Sequence, residues 1–134
     1  MPFIDASSIK GVKVTSPPEL RRINKVFVAP DINKIAKDVL IGQCIFEPYC
    51  KSDMHTHLGV EMIYVLSGKG KSRVGEENID LVPDRLVIIP PGVLHDFENT
   101  ENDRLKLLFI MTPPEKAEDI YNRAVKAAQS YSLR

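Results

Sequence analysis

From Val39 onward, the hydrophobic residues fall into short runs that are separated by turn residues. These runs lie at positions 39 to 46, 61 to 66, 86 to 89, 95 to 99 and 105 to 111. A turn at 75 to 78 separates two further runs, 73 to 74 and 79 to 82, which predicts a β-hairpin. Many short strands at close, regular spacing are typical of a sandwich or barrel. The pattern therefore predicts an all-β fold.

Several of these predicted strands are apolar on both faces. In the run at 61 to 66, Ile63 and Val65 point to one side of the sheet, whereas Met62 and Tyr64 point to the other. A barrel with a fully hydrated exterior would show a cleaner alternation of apolar and polar residues. The outer face therefore needs a cover, which the N-terminal arm, a C-terminal helix or a second subunit could supply. We expect a homodimer.

The two ends of the chain differ from its β-like centre. Residues 1 to 37 are the least regular part, and they predict an N-terminal arm with short edge strands, one of them at 26 to 28. Residues 38 to 111 form the predicted barrel, and residues 112 to 134 the predicted C-terminal helix. No repeat or second domain is visible, so we expect the three parts to form one domain.

The predicted helix packs on the barrel, because Ala117, Ile120 and Ala124 recur at helical spacing. The segment Thr112-Pro113-Pro114-Glu115 resembles a capping box, with Thr112 as the N-cap and Glu115 at the third helical position. Acidic residues early in the segment and basic ones late, such as Arg123, match the helix dipole. The pattern therefore predicts a helix that begins directly after residue 112.

Composition and charge limit the possible partners. The chain has 134 residues, of which 43% are hydrophobic and 27% charged, as in an ordinary globular domain. The formal net charge is zero, so we expect neither nucleic acid nor an anionic membrane as a partner. No apolar run is long enough to span a membrane, and the N-terminus does not resemble a signal peptide. We therefore expect a cytoplasmic protein in which Cys44 and Cys50 are reduced thiols.

The chain has three histidines, and all of them fall inside two short motifs. His55 and His57 share one face of a strand, Glu61 follows shortly after, and His95 comes from a later run. Imidazole suits iron, nickel, copper and zinc, and four protein ligands leave open positions on an ion that prefers five or six. Structural zinc sites are closed and usually contain cysteines. The four residues therefore predict a catalytic metal site.

The spacing of both motifs resembles the two conserved motifs of the cupin superfamily. The first motif comprises His55, His57, Glu61 and Gly68, and the second comprises Pro90, Gly92, His95 and Asn99. The resemblance covers about residues 49 to 99. It implies a double-stranded β-helix, or jelly-roll, barrel that holds one divalent transition metal ion on His55, His57, Glu61 and His95. That ion would be iron, manganese, nickel, zinc or copper.

Two positions depart from the family's pattern. The first motif usually opens with glycine, where this chain has Tyr49, and the second usually opens with glycine in a turn, where this chain has Asp84. Aspartate tolerates left-handed turn conformations, so we expect Asp84 to leave the fold unchanged. We expect Tyr49 to alter the approach to the barrel mouth. Neither position is a metal ligand.

The resemblance implies a superfamily of dioxygenases, decarboxylases, isomerases, epimerases, lyases and non-enzymatic binders, so the fold leaves the reaction open. We favour a metal-dependent enzyme that acts on a small oxygen-rich substrate with dioxygenase-like chemistry. One alternative is a metal-dependent isomerase, lyase or decarboxylase of a sugar or keto acid. Another is a ligand-binding or sensor protein without turnover.

The sequence does not identify catalytic residues beyond the metal ligands. An isomerase or lyase needs a general base near its substrate, and Tyr49 and Lys51 are the nearby candidates. Together with Asp53, these two residues gate the entrance to the barrel, contact the substrate or belong to a solvated loop. Phe97 has the same strand parity as His95, so it lines the cavity or belongs to the plain core.

Overall fold

The computed structural model describes residues 2 to 132, and the strands among them form two antiparallel sheets. The strands are β1 (Val12–Val14), β2 (Arg22–Val28), β3 (Leu40–Phe46), β4 (Val60–Ser67), β5 (Gly70–Val74), β6 (Glu77–Leu81), β7 (Leu86–Ile89), β8 (Glu98–Asn99) and β9 (Leu105–Thr112). One sheet has the order β1-β2-β3-β9-β4-β7 and the other the order β6-β5-β8. The only α-helix among the described residues is α1 (Ala117–Ser132), and two 3₁₀ helices lie at Ala6–Ser8 and Pro18–Leu20. The prediction of an all-β fold with one C-terminal helix is confirmed.

Alternating burial along the strands builds the core between the sheets. In β4, Glu61, Ile63 and Val65 are buried, whereas the residues between them are only partly buried. Strand β9 pairs with β4 and buries every second residue in the same way, so that Ile63 lies opposite Phe109. Full burial of one such aliphatic side chain contributes about 1.5 to 3 kcal/mol. The period of two therefore fixes which side chains point into the barrel.

Two elements differ from their sequence-based predictions. The short edge strand expected at 26 to 28 is part of the seven-residue strand β2, which lies between β1 and β3 inside the six-stranded sheet. The run at 95 to 99 is a strand only at Glu98–Asn99. His95 instead makes isolated bridges to His55 and Val74. Both differences concern residues beside the interior of the barrel.

The predicted capping box at the start of the helix is wrong. Thr112 is the last residue of β9, where it pairs with Val60 of β4, and its hydroxyl donates to the carbonyl of Asp38 at 2.9 Å. Strand pairing thus extends through the position that local pattern alone assigns to a cap. Helix α1 begins at Ala117, and the Asp31 carboxylate accepts hydrogen bonds from its first two N–H groups. Positions 133 and 134 of the predicted helix lie outside the described residues.

Helix α1 packs beside β1 and β2. Ala124 and Ala128 pack with Val14 and Leu20, and the Tyr121 hydroxyl accepts a hydrogen bond from the backbone N–H of Val26 at 2.8 Å. The outer face of β4, β7 and β9 lies elsewhere. On the edge strand β7, Leu86 and Ile88 are 50% and 59% exposed. These exposed fractions show that no other described element covers β7 on this face.

In the part of the chain that the structure describes, two non-glycine residues occupy left-handed turn conformations, and they are the two that depart from the family pattern. Tyr49 has a φ of 59° and Asp84 a φ of 71°. The Asp84 carboxylate also accepts a hydrogen bond from the Tyr64 hydroxyl at 2.7 Å. Glycine adopts this conformation without a steric penalty, which explains its use there in related chains. In this chain the turns keep that conformation with side chains present.

No helix in the described part of the chain is both long enough and apolar enough to cross a membrane.

Candidate metal centre

Backbone hydrogen bonds bring the two motifs together. The N–H of His55 donates to the carbonyl of His95, and the N–H of His95 donates to the carbonyl of His55, each at 3.0 Å. The N–H of Gly92 donates to the carbonyl of His57 at 2.8 Å. Glu61 is the second residue of β4 and points inward with the buried positions of that strand. The candidate ligands therefore sit on paired backbone, which holds them close together.

The four predicted ligands form one cluster. The ligand atoms that His55, His57, Glu61 and His95 offer all lie within 4.8 Å of one another. Oε1 of Glu61 lies 3.1 Å from Nε2 of His95 and 3.6 Å from Nε2 of His57. His95 is fully buried, and His57 and Glu61 are almost so. These are positions from which one ion could bind all four side chains.

Hydrogen bonds on the outer side of the rings fix the tautomers of His55 and His95. Nδ1 of His55 lies 2.9 Å from the carbonyl of Asp53, and Nδ1 of His95 lies 2.8 Å from that of Val93. A carbonyl only accepts, so each Nδ1 carries a proton, and in the neutral ring each Nε2 presents a lone pair to the cluster. Burial, above all, lowers the pKa of His55 to about 4, which keeps this imidazole neutral.

Burial opposes protonation of His95, but the Glu61 carboxylate, 3.1 Å from Nε2, outweighs it and raises the pKa of this imidazole. When the rings are neutral, the cluster presents only lone pairs to its centre. Nε2 of His57, Nε2 of His95 and Oε1 of Glu61 are buried and, among the described residues, have no hydrogen-bond partner. An unsatisfied buried polar atom costs about 1 to 3 kcal/mol, and acceptors that face one another at short range repel. A divalent cation would satisfy all of them at once. The donor set, three imidazoles and one carboxylate, fits a transition metal.

His57 differs from the other two histidines in its outer partner. Its Nδ1 lies 2.6 Å from Oε2 of Glu115, and Arg123 forms a salt bridge with the other oxygen of that carboxylate. Although burial raises the pKa of Glu115, the hydrogen bonds to His57 and Arg123 outweigh it and lower the pKa to about 2. Glu115 is therefore an ionised acceptor.

Glu115 and Arg123 lie in this site, although the sequence did not predict them as parts of it. The sequence pattern instead places Glu115 in a capping box and Arg123 at the end of a helix dipole, and both are local explanations. Glu115 is 58 positions away from His57 in the chain, and Arg123 lies in α1. Their spacing is compatible with one helix face, but nothing in it points to a histidine in a distant motif.

The remaining motif residues are structural. Asn99 is fully buried, and its side-chain amide donates to the backbone carbonyls of Phe46, Glu47 and Asp103. Gly68 has a φ of 85°, and a Cβ at this position would lie 2.4 Å from the carbonyl oxygen of Arg104. These two residues shape the backbone around the barrel and do not contact the cluster.

The cluster borders an interior cavity of about 60 Å³. Its polar lining outside the ligand set includes Arg22, Asn24 and Cys44, and Phe97 belongs to its largely apolar remainder. Burial raises the pKa of the Cys44 thiol to about 12, so this group stays protonated. Ile120, Arg123 and Ala124 of α1 also line the cavity. The helix therefore forms one wall of the cavity that contains the cluster.

An open groove of about 1160 Å³ lies outside this cavity. Lys51 lines the groove and not the cavity, whereas Tyr49 lines neither and is 64% exposed. His57 and Arg123 line both spaces, and Glu115 lines the groove. Ser52 and Asp53 also line both spaces, so the groove and the cavity meet at these residues.

Comparison with known proteins assigns the family. The family model described as Cupin domain matches residues 42–111, which is more than half of the chain. An uncharacterized protein of Methanocaldococcus jannaschii is 33% identical over 91 residues, which cover 67% of this chain and 72% of that protein.

Solved structures agree with this assignment at the level of the fold. A predicted oxalate decarboxylase from Thermotoga maritima has a TM-score of 0.72 at 17% identity, covering 84% of this chain and 99% of that one. KdgF from Halomonas sp. has a TM-score of 0.64 at 17% identity, covering 83% of this chain and 92% of that one. These likenesses confirm the predicted jelly-roll barrel. On the family match and the relative, the chain belongs to the cupin family.

Proposed function

We propose that this protein is a metal-dependent enzyme that acts on a small, oxygen-rich organic acid with dioxygenase-like chemistry. The observation that carries the proposal is the buried cluster of His57, Glu61 and His95, whose inward-facing polar atoms have no hydrogen-bond partner among the described residues and lie beside a small cavity. His55, His57, Glu61 and His95 would hold the ion. A bound divalent ion supplies Lewis-acid chemistry toward substrate oxygens, and a redox-active one also supplies dioxygen chemistry.

The size of the cavity supports a small substrate. A space of about 60 Å³ admits a few water molecules or a molecule of comparable volume. Apolar side chains such as Phe97 and Ile63 form most of the wall and exclude water from the remainder. A reaction in this space would proceed at low effective dielectric, where charged groups interact strongly.

Arg22 supports a substrate that carries a carboxylate. This residue is 5% exposed, and it lines the cavity together with three of the candidate ligands. Its guanidinium donates to the carbonyl of Lys51 at 3.2 Å and to Oδ1 of Asp53 at 3.3 Å. A guanidinium carries five N–H donors and binds carboxylates in a bidentate manner. The N–H groups of Arg22 that do not take part in these two long contacts can bind a substrate carboxylate beside the cluster.

The other titratable groups of the cavity support dioxygenase-like chemistry over an isomerase or lyase. Among the described lining residues outside the ligand set, these groups are Arg22, Cys44, Asp53 and Arg123. The arginines stay protonated, the Cys44 thiol is held neutral, and Asp53 is paired with Arg22. An isomerase or lyase needs a general base at its substrate. Lys51, a candidate base from the sequence, faces the groove instead.

The experiment combines metal analysis with oxygen uptake. Protein purified without added metal should contain close to one equivalent of a transition metal. An oxygen electrode should then detect uptake with short 2-oxo acids, 1,3-diketones or small thiol acids. Arg22→Gln should retain the metal and lose turnover of the acids. Protein that binds no Fe²⁺, Mn²⁺, Ni²⁺, Zn²⁺ or Cu²⁺ would refute the metal centre. A metal-loaded protein that binds acids without any turnover would favour the ligand-binding alternative.

We further propose that two copies of the chain associate through the outer face of β4, β7 and β9. Met62 on this face pairs with Ile88 on one side and with Ile110 on the other. All four residues of β7 are apolar, yet Leu86 and Ile88 are at least half exposed. Adjacent exposed apolar residues on one sheet face mark an association surface. Helix α1 packs against β1 and β2 and leaves β7 exposed on this face. A second copy of the chain could therefore cover it.

A further inference from the structure

The Glu115 carboxylate bridges a candidate metal ligand and the C-terminal helix. One oxygen accepts from Nδ1 of His57 at 2.6 Å, and the other binds a guanidinium nitrogen of Arg123. Glu115 and Arg123 are 15% and 30% exposed, whereas His57 is 3% exposed. Nδ1 of His57 also lies 3.4 Å from Nη1 of Arg123, but both atoms carry protons. The carboxylate between them therefore holds these two groups together.

The contrast with the other two histidines is informative. His55 and His95 donate to backbone carbonyls two positions before each of them, so their ring orientation is set within their own motif. His57 relies instead on a side chain that belongs to the segment between β9 and α1. A carboxylate on the outer nitrogen of a ligating imidazole fixes the ring and raises its basicity. A backbone carbonyl is a weaker partner, because it is uncharged.

We infer that Glu115 is the positioning residue for His57 and that, together with Arg123, it couples docking of helix α1 to metal affinity. This inference rests on the proposed metal centre. When α1 is docked, the carboxylate orients Nε2 of His57 toward the ion. When α1 leaves, His57 loses its acceptor, and its imidazole becomes a weaker, misaligned ligand. Such coupling is reciprocal, so metal binding stabilises the docked helix by the same factor.

The contact between His57, Glu115 and Arg123 lies beside the cavity, so the coupling also affects the cavity wall. His57 and Arg123 line both the open groove and the interior cavity, and Ile120 and Ala124 of the same helix line that cavity. Any loss of helix docking would therefore leave the cavity wall incomplete. Under this coupling, metal binding would stabilise the part of the wall that α1 contributes.

The competing explanation is that Glu115 merely anchors the helix. A pure anchor would change the stability of the fold and the protection of α1, but it would leave metal affinity and ligand geometry unaltered. The test therefore compares four proteins, the wild type, Glu115→Ala, Glu115→Gln and Glu118→Gln. Glu118 is an exposed carboxylate in the first turn of α1, so its variant is a matched control for the loss of one charge. Circular dichroism verifies that each variant is folded.

Co²⁺ is the probe, because its visible spectrum reports coordination geometry as well as affinity. We expect Glu115→Ala to weaken Co²⁺ binding by about 10- to 100-fold, as loss of an outer-sphere partner does elsewhere, and to change the spectrum. Glu115→Gln retains a neutral acceptor and should recover part of the affinity. Glu118→Gln should match the wild type. Hydrogen exchange should show that Co²⁺ slows exchange along 117 to 132 in the wild type but not in Glu115→Ala.

The outcomes separate the two proposals. If the wild type binds no Co²⁺ or other divalent transition ion, the metal centre and the coupling are both wrong. If the wild type binds Co²⁺ and Glu115→Ala binds it with the same affinity and spectrum, the metal centre stands and the coupling is refuted. An equal loss in Glu118→Gln would also refute it, because the effect would then be general electrostatics.

Discussion

The start of helix α1 provides a quantitative test of the packing that closes the cavity. Asp31 lies far from the helix in sequence, yet its Oδ1 accepts from the N–H of Ala117 at 2.7 Å and its Oδ2 from the N–H of Glu118 at 3.1 Å. The first N–H groups of a helix have no partner within it. Asp31→Ala leaves these two groups to water and removes a negative charge from the positive end of the helix dipole.

The expected loss follows from the exposure of this site. Removing an N-cap carboxylate costs about 0.5 to 2 kcal/mol, and Asp31 is exposed, so water replaces part of the bonding. We therefore expect a loss of about 1 kcal/mol in the free energy of unfolding. In a chain of this length, that corresponds to a fall in Tm of about 3 to 5 °C.

The effect should depend on pH in one direction. Although partial burial raises the pKa of Asp31, the hydrogen bonds from Ala117 and Glu118 outweigh it, and the pKa lies below 3.8. A pKa that is lower in the folded state stabilises the fold above the unfolded value. That contribution is lost as pH falls through the folded value. The difference in Tm between the wild type and Asp31→Ala should therefore be full at pH 7 and shrink below about pH 4.

Differential scanning calorimetry from pH 3 to 7 measures this difference. Asp38→Ala is the control, because Asp38 is an exposed carboxylate of the same loop and bonds to Thr112 through its backbone carbonyl. The control should lie within about 1 °C of the wild type, since isolated surface charges contribute little. An Asp31→Ala protein with the Tm of the control at pH 7 would refute the assignment of the cap.

Three other predictions concern the core, the cluster and the outer face. Gly42→Ala should lower the free energy of unfolding by about 1 to 3 kcal/mol in urea titrations, because its Cβ would lie 2.4 Å from Cζ of Phe109. An unchanged midpoint would contradict this packing. His57→Ala should abolish Co²⁺ binding in a spectrophotometric titration, and wild-type affinity would refute the ligand set. Ile88→Lys should produce monomers in light scattering where the wild type and Glu77→Lys are dimers, and a monomeric wild type would refute the dimer.

Much of the fold follows from burial along single strands. In β4 and β9, alternate residues point into the core, and this alternation is visible in the sequence. The start of α1 could not be predicted correctly, because the segment from Thr112 to Glu115 satisfies the local sequence rules for a helix cap. Pairing of Thr112 with Val60 overrides those rules. That pairing depends on a strand far away in the chain, so a local sequence pattern cannot predict it.

The candidate metal site shows the same division. Its four inner side chains could be predicted, because two short motifs carry them and three imidazoles with one carboxylate form a typical set of metal ligands. Asp53 and Val93, whose carbonyls orient two of the histidines, lie within those motifs. Glu115 could not be predicted, since it reaches His57 only after β9 and α1 have packed on the barrel. The inner ligands are thus local in sequence, whereas part of their support is tertiary.

Strand β2 was difficult to predict from the sequence because several of its inward positions are polar. Its inward positions are Arg22, Asn24, Val26 and Val28, so the half nearest the cavity buries polar groups where a core strand has apolar ones. The sequence pattern consequently predicts only the apolar end of this strand, at 26 to 28. Burial of a guanidinium costs free energy unless its donors are satisfied, and the two contacts of Arg22 are long.

Arg22→Leu tests whether that arrangement serves ligand binding and not stability. A leucine would bury apolar area at this position and leave Asp53, which is 30% exposed, free to be hydrated. Replacing a buried ion pair with an apolar residue is often neutral or stabilising, so Tm should stay within about 2 °C of the wild type or rise. Binding of short organic acids, measured by calorimetry on the metal-loaded protein, should weaken at least about tenfold, the scale of one charge-assisted hydrogen bond. A fall in Tm of about 10 °C with unaltered acid binding would show the reverse, because Arg22 would then be an anchor of the sheet with no part in recognition.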